Sequence, residues 1–157
     1  MIEQIYNYFS IDMLYYWINF GVLPFWLILI FFPQSYLCKY FVTSIFPVLI
    51  LSGAYIFILY KSYLNSYDFE TNFDLYFGIE NISDLFSDKT FLIMFWIHFI
   101  TINLFVGGWI VKDSQKFLIN KFFLIIPLII TYLIGPIGLL IYWLIRIFHA
   151  KSISLYD

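Results

Sequence analysis

The sequence predicts an all-α integral membrane protein: a bundle of four transmembrane helices with a short interfacial helix between the second and third. Three observations predict it. Of 157 residues, 63% are hydrophobic and 11% charged, with a mean hydropathy of +0.90, so the chain holds more apolar surface than a water-soluble core can hide. Four apolar stretches, 13–32, 41–60, 91–111 and 122–148, each reach the roughly 20 residues needed to cross ~30 Å of hydrocarbon at ~1.5 Å per residue. The charges gather between them, and the insert 61–90 alone holds Asp68, Glu70, Asp74, Glu80, Asp84 and Asp88 of the ten acidic residues.

Helix one, 13–32, follows a segment that carries Glu3 and Asp12 and no Lys or Arg. It therefore lacks the positive flank of a cleavable signal peptide and is expected to stay in the membrane. A short turn, 33–40, leads into helix two, 41–60. The insert 61–90 is the one sizeable extramembrane piece, and within it Asn81 to Phe86, after Gly78, reads as a short helix on the bilayer surface with its apolar side chains turned to protein or lipid. Helix three, 91–111, and helix four, 122–148, are joined by the short turn 112–121. No fixed-period repeat or low-complexity linker interrupts the chain, so residues 1–157 read as a single membrane domain.

Four crossings put both chain ends and the insert on one face, with Lys61, Lys89, Arg146 and Lys151, and leave Lys39, Lys112, Lys116 and Lys121 on the other. The positive-inside count ties, although the crowding of three lysines in one short loop leans that loop toward the cytoplasm. Asp113, ~22 Å along the helix from His98, reads as a solvated carboxylate at a helix end beside Lys112 and Lys116.

A single cysteine, Cys38, excludes an intrachain disulfide, and two histidines, His98 and His149, exclude a multi-histidine metal centre. Neither a cofactor nor a nucleic-acid partner is expected. The expected partners are membrane lipid, a lipid-soluble ligand, and further copies or other subunits in a membrane complex.

Polar residues inside the apolar spans point to a site, because such groups face a bundle interior or a wet cavity. Asn19, Tyr55, His98 and the Gly135-Pro136 pair fall at similar depths, ~10 Å or more from the insert face at helical rise. The plain alternative is that Asn19 and Tyr55 only join helices through hydrogen bonds. His98 differs because imidazole both donates and accepts protons near neutral pH. Trp96 lies beside it in sequence. Glu80 in the insert can supply an acid on the same face, with a solvated surface carboxylate as its plain reading. Asn103 is rotated ~140° from His98 on a helix and is expected to contact a different neighbour.

In order, Asn19-Phe-Gly-Val-Leu-Pro24-Phe-Trp26-Leu, Phe77-Gly78-Ile-Glu80 with Leu85-Phe86, Trp96-Ile-His98, Asn103-Leu-Phe-Val-Gly107, Trp109-Ile-Val-Lys-Asp113, Pro127 and Gly135-Pro136-Ile-Gly138-Leu-Leu form a pattern. It resembles the abscisic-acid-deficient-four-like family, whose plant members are required for neoxanthin synthesis. The resemblance implies a four-helix protein of a bacterial inner membrane or a plastid membrane, concerned with xanthophylls and in plants with turning the epoxide violaxanthin into the allenic neoxanthin.

Two functions stay open on this reading. One is an isomerase acting on a carotenoid epoxide or another isoprenoid, with His98 and Glu80 as catalytic acid and base and Asn19, Tyr55, Trp96, Asn103, Gly135 and Pro136 around the substrate. The other is a subunit that binds pigment or lipid, or aids assembly, without chemistry. A channel or transporter ranks behind both, because no charged pore lining or inverted repeat is present.

Overall fold

In hydrocarbon a helix satisfies its own backbone polar groups, and long apolar runs leave few alternatives. The computed structural model describes residues 10–151, 153 and 154, and among these it is helical with no strand. Helix α1 spans Ile11–Phe31, α2 Phe46–Leu64, α3 Ile79–Ser87, α4 Lys89–Lys116, α5 Phe122–Leu133 and α6 Gly135–Ala150. A π-turn occupies Cys38–Val42 and a 3₁₀ segment Glu70–Tyr76. Three of the helices, α1, α2 and α4, are long and apolar enough to cross a membrane.

The described chain divides into two compact units, and α1 and α4 contribute residues to both. The first unit takes α1 up to Gly21 together with Ile50–Phe99. Its core is Leu14 and Ile18 from α1, Leu51 and Ile58 from α2, Leu85 from α3, and Phe91, Ile93, Met94 and Ile97 from α4, all buried. Ser10 starts α1 by accepting the Met13 N–H at 3.3 Å. Asp88 caps α4, its Oδ1 accepting the N–H groups of Thr90 and Phe91 at 2.8 Å each. The short helix expected near 81–86 is α3, and Gly78 precedes it at φ +140°, a conformation that residues with a side chain rarely adopt. Phe86 packs α3 onto α4, its ring centroid 4.7 Å from that of Phe95.

The second unit takes Val22–Leu49 and the chain from Ile100 onward. Val22, Phe25, Trp26 and Leu29 recur at the spacing of one helix face and are buried. Trp26 settles on α4 because Gly107 has no side chain: a Cβ there would lie 2.8 Å from the indole. The same indole meets Tyr132 of α5 edge-on, with centroids 5.3 Å apart. Gln115 of α4 donates to the Pro33 carbonyl at 2.8 Å and ties down the segment after α1. That segment buries Cys38 and Val42, and the Thr43 N–H closes the π-turn on the Cys38 carbonyl at 2.9 Å.

Helix two was expected at 41–60, but α2 starts at Phe46 and runs on to Leu64. Ser44 Oγ accepts the Phe46 N–H, and Pro47 stands in the first turn, where its missing N–H costs no helical bond.

A larger correction concerns the single rod expected over 122–148. Ile134, at φ −142° and ψ 80°, leaves the helical region, so α5 ends at Leu133 and α6 begins at Gly135 with Pro136 in its first turn. At ~1.5 Å per residue, the 12 residues of α5 and the 16 of α6 make ~18 Å and ~24 Å, each short of a ~30 Å crossing. The two helices fold back on each other. Gly138 admits the α5 backbone, since a Cβ on it would lie 2.6 Å from the Pro127 carbonyl and closer still to Thr131. Toward the open end, the rings of Phe123 and His149 lie 6.2 Å apart. This antiparallel hairpin returns the end of α6 to the start of α5. Arg146 consequently shares a side with Asp113 and not the opposite one, as four straight crossings would require.

Burial pushes the Cys38 thiol up to about 11. At pH 8 only about one thiol in a thousand is then the reactive thiolate. The folded protein in detergent is expected to resist iodoacetamide at pH 8 and to take up one equivalent once denatured; equal rates in both states would contradict the burial.

Candidate functional site

In the first unit, Asp12, Tyr15 and Tyr16 recur on one face of α1, and Lys89, Leu92, Ile93 and Trp96 on one face of α4. Together with Ile11 they line a cavity of about 390 Å³. Asn19, one turn beyond Tyr15, accepts the Trp96 indole N–H at 3.3 Å and donates to the Tyr15 carbonyl at 2.7 Å. This hydrogen-bonded amide sets the indole 6.1 Å from the Tyr15 ring, while Phe99 stacks against it at 5.5 Å. At the mouth, Asp12 and Lys89 face each other at 3.8 Å with side chains 77% and 76% exposed, so water and salt screen the pair. The cavity thus joins aromatic walls to a mouth holding a carboxylate, an ammonium and phenol hydroxyls. It suits an apolar ring that carries oxygen.

In the second unit, Tyr142 and Arg146, one turn apart on α6, both reach Asp113 of α4. Tyr142 donates its hydroxyl to Asp113 Oδ2 at 2.6 Å, and Arg146 Nε donates to the same oxygen at 2.7 Å. Asp113 is 9% exposed, and the other two are fully buried. The guanidinium also lies 4.6 Å from the Phe117 ring and 5.1 Å from the Trp143 ring, within cation–π range. Asp113 is therefore no solvated helix-end carboxylate. With both donors on one oxygen it serves as a tie between α4 and the hairpin.

Sequence reasoning missed this cluster, although a signal was present. An arginine inside an apolar stretch needs a partner, and Tyr142 one turn earlier marks the face on which to seek it.

The family model described as ABA DEFICIENT 4-like matches residues 13–142. The chain belongs to the ABA DEFICIENT 4-like family. No curated protein and no solved structure matches it.

The matched span of this ABA DEFICIENT 4-like chain takes in Tyr15, Tyr16, Lys89 and Trp96 of the cavity and Asp113 and Tyr142 of the buried tie. Asn19 and Trp96 are brought together by their hydrogen bond, and Asn103 and Gly135 by direct contact, since a Cβ on Gly135 would collide with the Asn103 amide oxygen. Tyr55 is half-buried on α2, and Pro136 is exposed at the hairpin tip. His98 and Glu80 are both exposed, and no hydrogen bond or ion pair joins them among the described residues. Two positions along a helix amount to ~200° of rotation, so with Trp96 on the cavity face His98 points away from it. The expected inward His98 is thus corrected: similar depth did not mean a shared face. Asn19, Tyr55, Trp96 and His98 belong to the first unit, and Asn103, Gly135 and Pro136 to the second.

Asp113→Ala leaves a buried guanidinium without its carboxylate and is expected to cost about 3–5 kcal/mol of stability. Adding Arg146→Met should recover part of that loss, and His98→Ala should stay within about 0.5 kcal/mol of the parent. Denaturation midpoints of the purified proteins in detergent check all three; an unchanged midpoint for Asp113→Ala would remove the tie from the argument.

Proposed function

We propose that this chain is a carotenoid-handling membrane protein that takes the oxygenated ring end of a xanthophyll into the cavity walled by Tyr15, Tyr16 and Trp96. The observation that carries the reading is the make-up of that cavity, with ring walls and a polar mouth. A xanthophyll end group has the matching chemistry: an apolar ring bearing one or two oxygens, with a polyene that prefers acyl chains to water. Family membership supports a role connected with carotenoids. The cavity lies in the first turns of α1 and α4, the level at which tyrosine and tryptophan suit the lipid headgroups.

In this reading residues 1–157 form one domain of a bacterial inner membrane or a plastid membrane. Its helices α1, α2 and α4 cross the bilayer, α3 lies on the surface, and the α5–α6 hairpin enters and returns on one side in place of a fourth crossing. That topology breaks the tie in the charge count. Lys39, Lys112, Lys116, Lys121 and Lys151 fall on one side against Lys61 and Lys89 on the other, which puts the hairpin's open end in the cytoplasm or its plastid equivalent. Lipid surrounds the exposed apolar faces, which also leave room for further copies or another membrane subunit.

The Asp12–Lys89 pair favours a second reading, an isomerase. Opening an epoxide to an allenic alcohol adds a proton to the ring oxygen and removes one from the neighbouring chain carbon, so the formula is unchanged. An ammonium and a carboxylate 3.8 Å apart supply both functions at the cavity mouth. They replace His98 and Glu80 in that role, because His98 faces away from the cavity.

Expression in a bacterial host that makes violaxanthin, followed by chromatography of the pigment held by the purified protein, tests both readings. Retained xanthophyll should fall about fivefold for Trp96→Leu, as expected for loss of aromatic contact, and remain unchanged for His98→Ala. A neoxanthin peak that disappears with Asp12→Asn establishes the isomerase, whereas retention without a new peak leaves the binding reading alone. Pigment retained equally by the parent and Trp96→Leu refutes the cavity as the site.

A further inference from the structure

Charge is divided unevenly between the two units. Eight of the ten acidic residues lie in the first, whereas the second holds Lys39, Lys112, Lys116, Lys121, Arg146 and Lys151 against Asp113 and Asp157. Asp113 is buried and already committed to Arg146. The five lysines are all exposed, and none of them forms an ion pair among the described residues.

Contacts within the second unit gather these lysines at one end of it. Lys112 and Lys116 stand one turn apart near the end of α4. Gln115, beside them, holds the Pro33 carbonyl and so draws in the segment that carries Lys39. Phe117 meets the Arg146 guanidinium at 4.6 Å, and Phe123 meets His149 at 6.2 Å, which brings the end of α6, with Lys151, to the loop that carries Lys121. A face with so many cations and no free carboxylate among the described residues attracts anions.

Large apolar side chains stand out among the same lysines. Leu118, at φ +54°, is 90% exposed and Tyr36 82%, and Tyr40 and Phe122 are exposed as well. Three of the lysines are followed in sequence by a ring that lies beneath the ammonium: Lys39 Nζ is 5.3 Å from the centre of Tyr40, Lys116 Nζ 5.3 Å from Phe117 and Lys121 Nζ 5.6 Å from Phe122. Inorganic phosphate or another small soluble anion would match the lysines and leave Leu118 and the exposed rings in water. An anionic lipid surface matches both, because its phosphates border directly on acyl chains.

We infer that this end of the second unit is a docking surface for an anionic phospholipid, with the ammonium groups of Lys112, Lys116 and Lys121 toward the headgroup phosphate and Leu118 and Phe122 toward the acyl chains. The surface is separate from the ring-walled cavity and does not depend on what that cavity binds.

The test reconstitutes the full chain in phosphatidylcholine bilayers with a trace of lipid that carries a spin label far down its acyl chain. Electron spin resonance then separates lipid held at the protein surface from free lipid. Labelled phosphatidylglycerol should associate about fivefold more strongly than labelled phosphatidylcholine, as expected for lysines near an anionic headgroup. Salt at ~1 M, where the Debye length falls to ~3 Å, should remove most of that preference in the parent protein, so the answer does not depend on variants that fail to fold. The preference should fall to near parity when Lys112→Gln, Lys116→Gln and Lys121→Gln are combined. It should persist when the same three are changed to Arg, and in Lys61→Gln, whose lysine belongs to the first unit. Equal association of the two lipids with the parent, or a preference kept by the triple Gln variant, overturns the inference. Loss of the preference in Lys61→Gln also overturns it, by placing the lipid elsewhere. Excess glycerol phosphate at constant ionic strength should leave the labelled lipid in place, and its displacing the lipid would overturn the inference by assigning the face to soluble phosphates.

Discussion

A guanidinium keeps its charge at any pH a protein meets, so an arginine removed from water must carry its partners with it. Arg146 is fully buried, and its position decides how the last third of the chain can run. The carboxylate that meets it belongs to Asp113 near the end of α4, so α6 has to finish beside α4's last turns. At its other end α6 begins beside Asn103, ten residues earlier on α4. The two helices therefore run side by side in the same direction, and α5 is left to carry the chain from the end of α4 back to the start of α6. Such a pair contributes little net stability compared with well-packed apolar residues, yet it makes alternative packings costly by stranding a charge.

Much of this could be read in the residues. The apolar lengths of α1 and α4, the polar insert with a short helix after Gly78, and the family pattern from Asn19 to Gly138 all follow from composition, spacing and motif. The rest depended on information that lies across the fold. Gly135-Pro136 falls inside what composition presents as a single apolar rod over 122–148, whereas the backbone turns at Ile134 and starts a new helix. Hydropathy does not distinguish one long rod from two short ones. His98 was judged by depth alone, and rotation about the helix axis, readable from Trp96 two residues before, sends it outward. Asp113 looked solvated because lysines are its neighbours in sequence; its partners lie 29 and 33 positions away.

The polar side chains that an apolar environment rejects are accommodated in different ways. Asn19 is satisfied by an indole and a backbone carbonyl. Asp113 is satisfied by a phenol and a guanidinium that itself lies over two rings. Asn103 has its oxygen against Gly135, and its nitrogen has no hydrogen-bond partner among the described residues. Aromatic rings recur beside the first two because they offer apolar bulk together with a donor or a face that tolerates a cation. The high aromatic content is thus tied to particular polar groups as well as to contact with lipid.

The burial of the sole cysteine has a practical corollary. Because Cys38 is buried while the fold is intact, the chain offers a background for site-directed labelling in which the added thiol is the accessible one. A cysteine introduced at Tyr76, in the insert, or at Leu118, between α4 and α5, would report only the side of the membrane on which its own loop emerges. Sidedness can be mapped on the native sequence, one added sulfur at a time.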